Sequence, residues 1–462
     1  MFKKSIAITL VTALVAVGYF YKDIDKTLNV ATGYAAKQLC SGYYNSGYSF
    51  EQIMAEVLLP IDPAFAYVSY SLNEQTQTLH TSVLGLAARE ARHREGMGCT
   101  LLGQGQSQLL GEIRPQSVAP TDEAAPWPQG NLPPERLEGV NYAGLDSAIA
   151  QAFSENQSSG LKQTKAVVVI HKGKLIAEQY VAPLAQNVPS LSNSMAKSVT
   201  TLLVGTLQMR SFVDIHAPLT FPEWQNDERR SITLDHLMRM SSGLAFDESY
   251  GLNTDVTDML ANKANTARFA LNMPLAHPVD THWAYSSGTT NIIAQAMFDA
   301  IGGDLQNKYD YLNQALLGPM GVSNALMELD GSNTFVGSSY FYATARDWAK
   351  FGQLMLQNGV WEGQRLLPQN WVSYSTTPSP TAKNREYGAQ FWLNSAPVNQ
   401  QWSPPWPDVP NDAYFMSGYQ GQYVVVVPSE DVVVVRLGFT HPGTNSGMNE
   451  LVSGIIASLN RQ

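Results

Sequence analysis

The sequence predicts an α/β chain of the α+β type, in which an antiparallel sheet is flanked by helices and carries a mostly helical subdomain, with an extra region at the N-terminus. Three observations predict it. Ala166–Ile170 and Leu175–Val181 are β-branched or apolar runs joined by the polar turn His171–Lys174, which reads as a hairpin; Tyr423–Pro428 and Val432–Arg436, joined by Ser429–Asp431, read as a second. Helical patterns at 142–154 and 448–460 are placed to pack on that same sheet. Between the two hairpins the pattern is mainly helical, including an amphipathic stretch at 289–302 that ends at the pair Gly302-Gly303.

A chain of 462 residues with 44% hydrophobic content buries a large core and exceeds one compact domain. Its net charge of −10 favours solubility and disfavours polyanionic partners; with no basic patch and no phosphate-cradling glycine loop, nucleic-acid binding is not expected. The 8 histidines, at 80, 93, 171, 216, 236, 277, 282 and 441, form no metal-ligating pattern, so neither metal nor cofactor is expected. His282 reads as an ordinary loop histidine. A G-x-S-x-G elbow is missing, which argues against the α/β-hydrolase route to acyl transfer.

Residues 1–23 read as a signal anchor or signal peptide, because Lys3 and Lys4 precede a mostly apolar run at 5–21. The expected location is therefore exported and anchored in the inner membrane facing the periplasm, or periplasmic or secreted if the segment is cleaved. Residues 24–113 differ in composition from the rest and carry no catalytic motif; helices are expected around Phe50–Leu59 and His80–His93. Cys40 and Cys99, the 2 cysteines of the chain, are candidates for one disulfide closing a loop of about 60 residues, worth a few kcal/mol; the alternative is two free thiols. Residues 114–140, with prolines at 115, 120, 126, 128, 133 and 134, read as an extended linker or strap, and 141–462 as the catalytic domain.

Ser194-Met195-Ala196-Lys197 opens an apolar helical stretch and places a hydroxyl and an amine on one helix face. A lysine desolvated by apolar neighbours becomes neutral enough to take a serine proton, so the pair is a candidate for acyl transfer. The plain alternative is a helix N-cap at Ser194 with a solvated Lys197, and Ser159-Gly160-Leu161-Lys162 shows that S-x-x-K also arises by chance.

Context separates these readings. Tyr285-Ser286-Ser287-Gly288 and then Met416-Ser417-Gly418-Tyr419-Gln420-Gly421 follow Ser194 in the order of the serine β-lactamase and penicillin-binding-protein group, and Leu234–Leu244 resembles that group's L-L-x-x-x-S-G-L segment. Phe246–Tyr250 resembles the 6-aminohexanoate-dimer hydrolase and esterase branch. The resemblance covers roughly residues 141–462 and implies a β-lactamase/transpeptidase-like fold. It implies Ser194 as nucleophile, Lys197 as base and Tyr285 as proton relay, with the backbone N–H groups of Ser194 and Tyr419 as the oxyanion hole, each donor worth about 3–4 kcal/mol of barrier. For Tyr285 the alternative is one packed aromatic among 21 tyrosines.

Two departures bear on substrate. Met416 stands where β-lactamases and peptidases carry Lys or His, and cannot pair with a substrate carboxylate, unless Arg436 substitutes from elsewhere. Ser287 replaces Asn and shortens one hydrogen-bonding arm, which would enlarge the pocket. Tyr250, Ser287, Met416 and Gly418 are thus the expected substrate-pocket residues. The expected function is hydrolysis of a small, uncharged ester or amide through an acyl-enzyme. The alternatives are a β-lactamase or D,D-peptidase and, from another class, a binding or scaffolding protein that keeps the fold without turnover.

Overall fold

The structure, a computed structural model, describes residues 2–103, 110–115, 122, 124–155, 160–396 and 403–459, and for 2–23 the backbone alone. Ser159 of the second S-x-x-K match lies outside the described residues.

The sheet at the centre has strand order β12-β13-β14-β15-β5-β6. In chain order β5 is Thr164–His171, β6 Lys174–Tyr180, β12 Trp392–Leu393, β13 Tyr414–Gly418, β14 Gln422–Val427 and β15 Val432–Gly438, every neighbouring pair antiparallel. Both expected hairpins are present. Alternation divides their valines between two cores: Val424, Val426, Val433 and Val435 face one layer, while Val425, Val427, Val432 and Val434 face the other. Because both faces are covered, the strands read as unbroken apolar runs. Helices α3 (Tyr142–Phe153) and α12 (Met448–Ser458) cover one face and α10 (Ala345–Leu356) the other.

Further helices are α4 (Ala196–Met209) and the helical subdomain of α5 (Leu234–Met238), α6 (Asp255–Asn262), α7 (Thr266–Leu271), α8 (Ser287–Ile301) and α9 (Leu305–Leu312), with α8 packed on α4, α5 and α7. A small sheet joins β7 (Ser190–Leu191), β8 (Leu326–Met327) and β9 (Phe341–Ala343); a hairpin of β10 (Val360–Trp361) and β11 (Gln364–Arg365) precedes α11 (Trp371–Thr376).

The N-terminal region begins with α1 (Phe2–Ser46) and α2 (Phe50–Ile53), the latter continued by a wider π turn over Met54–Leu58. The side chains of the apolar run at 5–21 lie outside the described residues; among those described, no helix is long and apolar enough to cross a membrane. A separate four-stranded sheet follows, made of β1 (Val68–Asn73), β2 (Thr78–Val83), β3 (Leu86–Arg94) and β4 (Gly98–Leu101). The helix expected over His80–His93 is thus the β2–β3 hairpin. Its two-residue turn places Leu84 and Gly85 at φ of 50° and 76°, and Leu79, Thr81, Arg89 and Ala91 are buried on the side that meets α1, so tertiary packing overrides the helix preference of the Ala/Arg/Glu stretch.

This region shares the main core with the catalytic part, contributing Ala35, Leu39, Ile53, Phe65 and Leu79. The fastening is polar as well. Glu328, fully buried beside β8, pairs with Lys37 and accepts from Ser41 Oγ at 2.8 Å, Asn45 Nδ2 at 2.8 Å and the Cys99 N–H at 2.7 Å. Cys40 and Cys99 are bonded, which ties α1 to β4. Downstream, the proline-rich strap lies on the catalytic part: Trp127 is buried with its indole N–H on Arg346 O, and the Glu135 N–H reaches Leu175 O at 2.8 Å.

Candidate active site

Ser194 stands in the tight turn Asn193–Met195 that leads into α4. Its hydroxyl caps nothing; it contacts Lys197 Nζ at 3.1 Å, one turn further on. Lys197 is not solvated. It is 1% exposed on a helix buried from Ala196 to Leu207, and burial lowers its pKa to about 8 although the charge of Glu248 pulls the other way.

Two further contacts orient the amine. Nζ lies 3.0 Å from Ser338 O and 3.0 Å from Ser287 Oγ. A carbonyl can only accept, and the Ser287 hydroxyl donates its own proton to Glu248 Oε1. A neutral amine has two N–H bonds and one lone pair, and these two acceptors use both N–H bonds. The lone pair is left facing Ser194 Oγ, the orientation a base needs. Glu248 also accepts from the Ser287 N–H at 2.7 Å and the Tyr250 hydroxyl at 3.2 Å, which fixes Ser287 in that role.

Tyr285 precedes α8, whose N-terminus is capped by Ser286 accepting from the Thr289 N–H at 3.2 Å. Its hydroxyl is electrostatically coupled to the Ser194 side chain, and Lys197 Nζ lies 4.9 Å from its ring centroid. The ring packs on Tyr387 and Trp392, at 5.9 Å and 5.4 Å between centroids. Burial first, then the charge of Glu248, pushes the phenol well up, so it stays a proton donor while Lys197 is the group able to lose its proton near neutrality.

The end of β13 abuts the serine turn. Asn193, at a left-handed φ of 46°, donates from Nδ2 to Tyr419 O at 3.0 Å. A Cβ on Gly418 would sit 2.1 Å from Ser192 O, so only glycine permits this approach. The approach brings the serine turn against the Gly418–Tyr419 backbone.

The pocket differs from expectation. Tyr250 does line a cavity of about 290 Å³ next to Ser194, stacked on Tyr419 at 5.9 Å and 4°. Met416 does not: β13 alternation turns it into the core, 1% exposed. Ser287 is fully buried beneath Lys197 and holds a hydrogen-bond chain in place of opening space. Gly418 acts through the serine turn, as above. Arg436 cannot stand in for a missing cation, since it is fully buried on Gly421 O at 2.5 Å, Lys162 O at 2.6 Å and Thr164 Oγ1 at 2.9 Å. His282 is exposed and stacked on His277.

Glu248 and Ser338 were missed by sequence reasoning. Glu248 lies within the Phe246–Tyr250 segment that the sequence singles out, but a carboxylate acting through a serine leaves no spacing signal; Ser338 serves through its backbone oxygen, which no sequence pattern marks.

A sheet flanked by helices, with a serine, a desolvated lysine and a tyrosine at one end of its third motif strand, defines a serine hydrolase of the acyl-transfer type. Residues 149–448 match the beta-lactamase family, and the chain belongs to that family. It is 23% identical over 317 residues to the 6-aminohexanoate-dimer hydrolase of Paenarthrobacter ureafaciens, spanning 64% of this chain and 78% of that protein. Among solved structures, a family VIII carboxylesterase superposes with a TM-score of 0.55 at 13% identity, covering 71% of this chain and 100% of the other. A class C beta-lactamase gives 0.51 at 14% identity, over 69% and 96%. These likenesses bear out the fold read from the sequence.

Proposed function

We propose that the chain hydrolyses an uncharged ester or amide through an acyl-enzyme on Ser194. The observation that carries this is the placement of Lys197 Nζ 3.0–3.1 Å from Ser194 Oγ, Ser338 O and Ser287 Oγ; in the neutral amine the last two take both N–H bonds and leave the lone pair to the Ser194 hydroxyl. Ser194 Oγ forms the new bond to the carbonyl carbon as its proton passes to Lys197, and the backbone N–H groups of Ser194 and Tyr419 receive the oxyanion. When the bond to the leaving group breaks, Tyr285 gives that group its proton and is resupplied from Lys197. Water then repeats the sequence on the acyl-enzyme.

The cavity beside Ser194 supports an uncharged group on the part of the substrate that enters it: among the described residues its walls hold no Lys or Arg, and Asp62 is their one charged member. With Met416 turned into the core and Arg436 fully buried, neither can pair with the carboxylate that β-lactams and peptidoglycan termini carry on their leaving-group side, so an ester or amide without one is favoured. For location, we place the protein outside the cytoplasm, held to the inner membrane by the segment at 5–21 or released by its cleavage; the Cys40–Cys99 bond supports an oxidising compartment.

The pH dependence tests the base. Lys197 must be unprotonated, so kcat/KM for p-nitrophenyl acetate is expected to rise about tenfold per pH unit below a midpoint near 8 and to level off above it. Because the folded pKa lies below the unfolded one, the unfolded chain binds the extra proton between them, and this lysine makes stability rise with pH from about 8 to the ordinary lysine range. A profile flat from pH 6 to 10 would remove Lys197 as the base.

A further inference from the structure

The cavity beside Ser194 has two walls of different origin. One comes from the family-matching part: Tyr250, Leu252, Thr257, Leu260, Ala261, Tyr340 and Tyr419. The other comes from the N-terminal region, which lies outside the matched residues: Val30, Ala31, Tyr34 and Gln38 from α1, with Ile61, Asp62 and Phe65 from the turn that follows α2. Residues 30, 34 and 38 recur every four positions, so one face of α1 is turned to the cavity. Within this wall Tyr34 and Phe65 pack at 6.0 Å between ring centroids.

The fit of this wall is built in. A Cβ on Gly33 would stand 2.0 Å from Ala261 O, so the glycine lets α1 lie directly against α6. Lys37, one turn beyond Gly33, is held by Glu328 and sits 4.3 Å over the Tyr340 ring, itself a lining residue. The surface so enclosed is mainly apolar and, near 290 Å³, at the small end of the range for ligand sites.

The geometry also says which part of the substrate enters. Ser194 and Tyr419 line the cavity but Tyr285 does not. The leaving group must lie beside Tyr285 to receive its proton, so the cavity is left for the acyl side.

We propose that the N-terminal region supplies one wall of the acyl pocket, and that Val30, Ala31, Tyr34 and Phe65 thereby select esters or amides with an extended apolar acyl chain. This rests on Ser194 being the nucleophile. The region is then a specificity element of the active site.

The test varies each side of the ester separately in the full chain. With p-nitrophenol as constant leaving group, kcat/KM is expected to rise from acetate through butyrate to octanoate by about fourfold for each methylene the cavity accommodates. With acetate as constant acyl group, lengthening the alcohol from ethyl to octyl should change it less than about threefold. Ala31→Phe, which fills the cavity, should bring the octanoate-to-acetate ratio of kcat/KM down to about one; Val30→Ala, which enlarges it, should move the optimum to a longer acyl chain. Equal rates along the acyl series, or a gain along the alcohol series instead, would overturn the assignment while leaving the serine hydrolase reading intact.

A binding measurement keeps the two readings apart if no ester is turned over. Calorimetric titration of Ser194→Ala with octanamide and acetamide should show at least tenfold tighter binding of octanamide, lost in the added presence of Ala31→Phe. Equal or undetectable binding of both would overturn the acyl-pocket assignment by itself.

Discussion

Replacing Lys197 with alanine is expected to lower kcat/KM for p-nitrophenyl acetate by about 10²- to 10⁴-fold with the fold retained, the range a positioned general base supplies. The fold should persist because the substitution removes a buried amine while Glu248 keeps the hydrogen bonds it accepts from the Ser287 N–H and hydroxyl; Ser338 O and Ser287 Oγ each lose one donor. Ser287→Ala is expected to fall between the wild type and Lys197→Ala. With one acceptor gone, an N–H of Lys197 is free to turn toward Ser194 Oγ, which would make the serine an acceptor and misdirect its proton. Steady-state kinetics with circular dichroism on the same samples checks both. Activity within threefold of wild type in Lys197→Ala would mean that another group takes the proton.

Glu328→Ala is expected to cost about 3–5 kcal/mol of stability, because it strands the Lys37 ammonium in a fully buried site. It also removes the acceptor of Ser41, Asn45 and the Cys99 N–H, the groups that fasten α1 and β4 to β8. Urea unfolding reads the change as a lower midpoint. The double variant Lys37→Met, Glu328→Met removes both charges and should recover the part of the loss that comes from the stranded ammonium, while Ser41, Asn45 and the Cys99 N–H stay without their acceptor. An unchanged midpoint in Glu328→Ala would mean that the network contributes nothing to holding the N-terminal region.

The parts of the fold that were legible are those whose signal is local. The valine runs at 424–427 and 432–435 need cover on both faces, and α10 on one side with α3 and α12 on the other provides it. Ser194 and Lys197 were legible because one helical turn joins them, and Tyr285 because the motif order places it. The hairpin over 78–94 was not, since its alternation is masked by Ala, Arg and Glu, and what makes it a sheet is the buried face offered by α1. The motif position of Met416 points to the pocket, but the two-residue period of β13 directs it into the core with Tyr414. Motif comparison alone makes Ser287 a shortened arm; its actual partner, Glu248, lies 39 residues away in sequence and only folding brings them together. The pocket wall from α1 was illegible for the same reason.

The most direct test of the account is intact-mass spectrometry of the protein after exposure to a fluorophosphonate, with Ser194→Ala as control. The account predicts one phosphonyl adduct on the wild type and none on Ser194→Ala, together with ester turnover that disappears in the variant. A folded wild-type protein that takes up no adduct, or an adduct that persists when Ser194 is alanine, would contradict it.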